Sequence, residues 1–241
     1  MIRTRTDDRV RVVTIDRPAR RNALRPEDLA ALRRAVADAE TPVTYLRGAG
    51  DAFCAGADLD AVAGLASSGG DPENDADAAS FARHGQRTAA AIADADTVVV
   101  CGVDGAARGG GVELALAADV RVATPAATFA EPGVEFGLFG AWGGTVRLPR
   151  VMREGDALDF ALSGRVLDAD EALRTGLVSR VVDDPRAVAD EIADGKPGAL
   201  RAVKRRVRDR REDAVQADAE AEAFAALVRT HGAEIAASRT E

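Results

Sequence analysis

The chain has 241 residues, of which 46% are hydrophobic and 30% charged, a composition typical of a folded protein with a sizeable core. Its two cysteines exclude a disulfide scaffold, and its formal charge of −8 disfavours general nucleic-acid binding. Because no long apolar run occurs at the N-terminus or elsewhere, we expect no signal peptide, no membrane span and a cytoplasmic location.

Predicted strands and helices alternate over the first two thirds of the sequence, which favours an α/β fold with parallel strand pairing. Apolar and β-branched runs predict strands over residues 9–16, 43–47, 97–103 and 119–123. Helical spacing predicts helices over residues 29–40, 81–94 and 112–118. A polar, Gly- and Asp-rich stretch predicts a loop over residues 66–78.

The pattern becomes entirely helical after about residue 185. Apolar side chains recur at helical spacing near the C-terminus, at Phe224, Leu227, Val228 and Ile235. A face of this kind needs a partner, which is either the core or another subunit.

Gly109, Gly110 and Gly111 form a glycine-rich turn between a predicted buried strand and a helix, where backbone N–H groups favour an anion. One interpretation is a dinucleotide site of the short-chain dehydrogenase type. That chemistry requires a Tyr followed four residues later by Lys, whereas the one tyrosine, Tyr45, is followed by Ala49. The other interpretation is an oxyanion hole, in which two turns each offer one N–H to a carbonyl that becomes an enolate.

Five segments follow one another along the sequence: IDRPARRNAL, FCAGADL, GAARGGGVELALAADVRVA, WGGTVRLPR and DADEALRTGLVSRVV. Their order is typical of the crotonase (enoyl-CoA hydratase/isomerase) superfamily, which the chain resembles over about residues 10–204. The resemblance implies an α/β fold, with a crotonase-like spiral of ββα units in residues 1–185 and a helical C-terminal trimerisation region in residues 186–241. It also implies a homotrimer or a dimer of trimers.

The resemblance further implies an enzyme that stabilises the enolate of an acyl-CoA thioester. Coenzyme A is expected as part of the substrate, with no separate cofactor, no metal, no nucleic acid and no membrane. The oxyanion-hole amides fall on Ala57 and Gly110, and the first catalytic carboxylate falls on Glu113. The substrate-binding positions implied by the motifs are Ala23, Ala55, Asp58, Leu59, Gly109, Gly133, Trp142, Arg20, Arg21 and Lys204.

One position departs from the pattern of the family. The second glutamate should follow Pro132, but Gly133 stands there, and Glu131 and Glu135 are the acids nearby. Three alternatives remain open: Glu113 as the sole carboxylate, a substitute acid at Glu131 or Glu135, or a CoA-ester binder without activity. An enoyl-CoA isomerase is a further alternative.

Cations that could meet the phosphates of CoA occur at both ends of the sequence. Lys204 and either Arg20 or Arg21 match CoA-contacting positions of the family. For Arg108, which precedes the three glycines, a solvated position is favoured over one near the thioester.

Overall fold

The computed structural model describes residues 1–67 and 72–238. Six strands within these segments form a large sheet: β1 Ile2–Asp7, β2 Val10–Ile15, β3 Val43–Gly48, β5 Val98–Val103, β7 Val120–Ala123 and β10 Arg180–Val181. Their spatial order is β1-β2-β3-β5-β7-β10. β1 is antiparallel to β2, and the remaining pairs are parallel.

A second, smaller sheet contains short strands: β4 Ala52–Cys54, β6 Ala106–Arg108, β8 Thr128–Ala130 and β9 Leu167–Asp168. β4, β6 and β8 are parallel, and β9 closes the sheet antiparallel to β8. Each of β3, β5 and β7 in the large sheet is followed along the chain by one of these three strands. The repeating strand–strand–helix arrangement implied by the family resemblance is therefore confirmed.

The helices of the described segments are α1 Pro26–Ala37, α2 Leu59–Ser67, α3 Pro72–Asp94, α4 Gly110–Ala117, α5 Gly144–Val151, α6 Glu154–Ser163, α7 Ala169–Arg174, α8 Pro185–Ala193, α9 Pro197–Val207 and α10 Asp213–Ala237. Short 3₁₀ turns span Pro18–Arg20 and Pro132–Phe136. α1 begins at Pro26, whose missing N–H is harmless in a first helical turn. The Asp28 carboxylate accepts a hydrogen bond from the Arg25 N–H, 3.2 Å away, and so caps this helix.

The large sheet is covered on both faces. The main core packs α1, α3, α4 and the small sheet against one face, while Val188, Ala189 and Ala193 of α8 pack against the other. All six residues of β5 are buried, as the apolar run predicts for a strand between two layers. α4 is also almost wholly buried, so its first turn is held rigidly beside the small sheet.

Sequence-based predictions fail where apolar periodicity is weak. β1 was not predicted, because its residues are mostly exposed polar side chains at a sheet edge. The predicted loop at 66–78 is wrong where it is described: residues 66–67 end α2 and residues 72–78 begin α3. Residues 68–71 of that prediction lie outside the described residues.

The C-terminal helices agree with the predicted all-helical region. α10 packs against α9, yet none of its residues is buried. Among the described helices, none combines the length and the apolarity that crossing a bilayer requires.

Candidate active site

Two tight turns meet where β4 and β6 end. Gly56 follows β4 and has a φ of +84°, which favours glycine. A methyl group at position 56 would lie 2.7 Å from the Arg108 carbonyl oxygen and 2.8 Å from the Gly110 nitrogen. The absence of a side chain at Gly56 therefore allows the second turn to approach this closely.

The backbone N–H groups of Ala57 and Gly110 lie outside the hydrogen bonds that hold these two turns. The Gly56 carbonyl accepts from the Leu24 N–H at 2.8 Å, and the Leu24 carbonyl accepts from the Asp58 N–H at 2.9 Å. In this parallel bridge the N–H of Ala57 points away from Leu24. Gly110 is the first residue of α4, where an N–H has no acceptor within the helix. The Ala57 and Gly110 amides therefore take no part in the bridge or in the hydrogen bonds within α4.

Trp142 forms the wall behind Gly110. A methyl group at Gly110 would lie 2.3 Å from Trp142 Cζ3, and one at Gly85 of α3 would lie 2.0 Å from Trp142 Cδ1. Trp142 is 3% exposed, and its indole forms a T-shaped contact with the Phe81 ring, with ring centroids 5.9 Å apart. Glycine at both positions lets the indole fill the space between α3 and the glycine-rich turn.

Glu113 lies in the first turn of α4 and is 1% exposed. Its Oε1 accepts hydrogen bonds from the backbone N–H groups of Trp142, at 2.8 Å, and Gly144, at 2.6 Å. Burial raises the pKa of this carboxyl above its ordinary value, and the two N–H donors oppose that rise by stabilising the ionised form. Its second oxygen takes no part in these two bonds.

Glu131 follows β8 directly and is 5% exposed. Neither of its carboxyl oxygens has a hydrogen-bond partner in the described part of the chain. Burial, and then the nearby charge of Glu113, raises the pKa of Glu131 to about 8. A methyl group at Gly140 would lie 3.0 Å from Glu113 Oε1 and 3.1 Å from Glu131 Oε2, so the two carboxyl groups converge beside Gly140.

These groups line a cavity of about 500 Å³ that is largely apolar. Both amide residues and both carboxyl groups contribute to its wall. Of the predicted site residues, the cavity brings together Glu113, Ala57, Gly110, Ala55, Leu59, Gly109, Gly133, Trp142 and Arg21. Ala23, Asp58, Arg20 and Lys204 are not among its lining residues.

Asp58 has a structural position instead. Its Oδ1 accepts from the Asp60 N–H at 3.0 Å at the start of α2, and its Oδ2 lies 2.5 Å from Arg17 Nη1. Arg20 Nη2 donates to Asp60 Oδ2 at 2.5 Å, and the Ala23 carbonyl accepts a hydrogen bond from Arg17 Nη1. These contacts do not support direct substrate binding by Asp58, Arg20 or Ala23.

Lys204 is held away from the cavity by a buried ion pair. Its ammonium lies 2.9 Å from Asp119 Oδ2 and donates to the Thr97 carbonyl at 2.8 Å. Only 7% of the Lys204 side chain is exposed. This ion pair fastens α9 to the start of β5, and the CoA contact expected for Lys204 stays a prediction.

Among the described lining residues, the cations on the cavity wall are Arg21 and Arg108. Arg108 Nη1 donates to the carbonyls of Ala107, at 2.9 Å, and Thr128, at 2.8 Å, so the guanidinium of this half-buried residue is held by the backbone on one side. Burial, and then the positive charge of Arg21, lowers the pKa of Arg108.

Asn22 holds Arg21 in place, and the sequence did not mark it as important. Asn22 is fully buried and has a φ of +61°, a conformation that asparagine tolerates. Its Nδ2 donates to the carbonyls of Ala49, at 2.8 Å, and Ala52, at 2.7 Å, while its Oδ1 accepts from the Arg17 N–H. Further lining residues without a signal in the sequence are Phe81, Phe136, Leu138, Phe139 and Gly140.

Comparison with known proteins identifies similar chains. The family model described as Enoyl-CoA hydratase/isomerase matches residues 5–239. "Probable enoyl-CoA hydratase EchA14" of Mycobacterium tuberculosis is 39% identical over 202 residues, which are 82% of this chain and 75% of the relative. A crotonyl-CoA hydratase of Syntrophomonas wolfei is 34% identical over 191 residues, 77% and 70% of the two chains. The crystal structure of an enoyl-CoA hydratase from Thermoplasma volcanium superposes with a TM-score of 0.85 at 31% identity, covering 95% of this chain and 92% of that one.

Proposed function

The chain belongs to the enoyl-CoA hydratase/isomerase family, and from that premise we propose that it adds water across the double bond of a 2-enoyl-CoA thioester. One observation carries the proposal. The buried Glu113 carboxylate, held by two backbone N–H groups, lies on the wall of the cavity that Ala57 and Gly110 also line.

The thioester carbonyl binds at the Ala57 and Gly110 amides. When a nucleophile attacks Cβ, the π electrons move onto this oxygen, and the two N–H groups stabilise the resulting enolate. Each donor of this kind contributes about 3 kcal/mol to the transition state. The donors are backbone groups, one in the turn after β4 and one at the start of the buried helix α4, so they need little reorganisation during the reaction.

Glu113 is the base that orients the water and accepts its proton. The N–H donors of Trp142 and Gly144 fix one oxygen of the carboxylate and favour its ionised form. General-base assistance of this kind contributes about 100- to 10,000-fold to a rate.

The CoA portion of the substrate extends past Arg21 and Arg108. These guanidinium groups place positive charge on a largely apolar wall, where phosphate oxygens can be bound. Arg21 therefore takes the CoA contact that the sequence divided between Arg20 and Arg21.

The experiment measures turnover of crotonyl-CoA by the purified chain, with both hydration and double-bond migration of longer enoyl esters recorded. We expect hydrated product from the parent and a loss of at least about 100-fold in kcat for Glu113→Gln. The exposed Glu135 provides the matched control, Glu135→Gln, which should keep the parental rate.

Three other results would contradict the proposal. Migration of the double bond without hydration would make the chain an isomerase. Binding of acetoacetyl-CoA, measured as a rise in melting temperature, without turnover of any ester would make it a binder. Equal rates for the parent and Glu113→Gln would remove Glu113 from the mechanism.

A further inference from the structure

We propose that Glu131 is the second catalytic carboxyl group of this site and delivers a proton to the thioester Cα. The inference rests on the proposed hydration and assigns to Glu131 the role that an acid at position 133 would otherwise have. It follows from the position of Glu131, from the absence of hydrogen-bond partners for its carboxyl among the described residues, and from the crowding around Gly133.

The two carboxyl groups face the same small volume. Glu131 extends from the end of β8, whose last carbonyl, that of Ala130, accepts a hydrogen bond from the Gly109 N–H at 2.9 Å. This bond fixes the end of β8 against the glycine-rich turn, so the next residue enters the cavity beside Glu113. Both carboxyl groups lie about 3 Å from the point where a methyl group of residue 140 would stand.

The surroundings of the two carboxyl groups favour the ionised form of Glu113 and the protonated form of Glu131. Glu113 receives two backbone hydrogen bonds, whereas Glu131 receives none from the described residues. The charged group that faces Glu131 is Glu113 of α4, and Arg147 of α5 acts on Glu113. A pKa of about 8 keeps Glu131 protonated at neutral pH, while the N–H donors favour ionisation of Glu113.

The other positions are unsuitable for an acid. Glu135 is exposed, and its Oε1 lies beside Gly164, where a methyl group would be 3.3 Å away. A side chain at Gly133 would begin 3.0 Å from the Leu138 carbonyl oxygen and 3.0 Å from the Phe139 Cα. Both are backbone atoms in a short turn, so a side chain at position 133 would require them to shift by a few tenths of an ångström.

The proposed reaction consumes one water molecule and returns both carboxyl groups to their starting protonation states. Water attacks Cβ while Glu113 takes one water proton, and the π electrons of the double bond move to the thioester oxygen. The enolate then collapses as Cα takes the proton of the Glu131 carboxyl. A proton passes from Glu113 to Glu131 after the reaction, directly or through solvent, so the sum of the steps is the addition of one water molecule.

The test compares crotonyl-CoA hydration by the parent, Glu131→Gln and the control Glu135→Gln. Glutamine keeps the size of the side chain but cannot donate a carboxyl proton. We expect kcat for Glu131→Gln to fall by about 100-fold or more, with KM changed by less than about threefold. The control should match the parent.

Thermal unfolding supplies a readout independent of activity. Because the pKa of Glu131 is raised from 4.5 to about 8, the folded state holds this proton more tightly than the unfolded state does. The associated stability is complete below about pH 4.5 and is lost as the pH rises through 8. The melting temperature of Glu131→Gln should therefore rise relative to that of the parent as the pH increases from 5 to 9.

The outcomes separate the two proposals. An active parent whose rate is unchanged in Glu131→Gln overturns the role of Glu131 and leaves hydration intact. An inactive parent overturns the proposed hydration itself, and a melting-temperature difference that does not change with pH overturns the buried protonated carboxyl. A fall in kcat with the expected pH-dependent stability supports both.

Discussion

At the scale of single residues, the sequence identifies the groups that depend on local motifs. Glu113 was predictable because it lies three residues after Gly110, in the first turn of the same helix. The roles of Glu131 and Arg108 were not, because each depends on where β8 and β6 lie in the small sheet. The sequence position of Lys204 likewise says nothing of the carboxylate, Asp119, that faces it.

Gly133→Glu tests the geometry around the site. If Glu113 were the sole carboxylate, this substitution would restore the family pattern and raise hydration about 10- to 100-fold. We expect an unchanged or lower rate, because the new side chain would start 3.0 Å from the Leu138 carbonyl oxygen.

Gly155→Glu is the matched control for Gly133→Glu, since a side chain at Gly155 meets nothing within 4 Å. It adds the same charge on α6 and should retain the parental rate of crotonyl-CoA hydration. A gain in rate for Gly133→Glu would place the acid at position 133 and argue against Glu131.

At the scale of elements, the long apolar runs were predictable and the short strands were not. β3, β5 and β7 were expected from their composition, but strands of three residues such as β4 and β8 are too short to show a period. The active site lies beside these short strands. The sequence therefore located its motifs without showing how the two turns meet.

The contact between α9 and β5 depends on Asp119. This carboxylate, 11% exposed, pairs with Lys204 at 2.9 Å and Arg208 at 2.8 Å and accepts from the Val99 N–H at 2.8 Å. Asp119→Ala leaves both cations without this partner and should destabilise the fold by about 3–5 kcal/mol.

The measurement is chemical denaturation, with Glu191→Ala as the control. Glu191 forms an exposed ion pair with Arg180, at 2.6 Å, which is screened by solvent. We expect a much smaller shift of the midpoint for the control. Equal shifts for the two variants would show that the Asp119 cluster does not fasten α9.

At the scale of the whole molecule, much of the apolar face of α10 stays exposed in a single described chain, although α10 packs against α9. Phe224 is 68% exposed, and Ile235 is 53% exposed on the same helix. Val203 and Val207 on α9 are also exposed. Such a surface is expected to be buried between subunits.

We therefore predict a trimer or a hexamer in solution, as the family resemblance implies. The mass should be measured by light scattering at low and high salt, because an acidic surface repels itself when it is not screened. A monomer at both salt concentrations would contradict this prediction.

The most direct test of the account is the pH dependence of kcat for crotonyl-CoA hydration by the parent and by Glu131→Gln. Glu113 must be ionised and Glu131 protonated, so the parental profile should be bell-shaped, with the alkaline limb falling as the pH rises through about 8. The acidic limb should lie above the ordinary range of a glutamate, because burial raises the pKa of Glu113. The residual activity of Glu131→Gln should lack the alkaline limb. An alkaline limb that is unchanged in Glu131→Gln, or a parental rate that stays level from pH 7 to pH 10, would contradict the account.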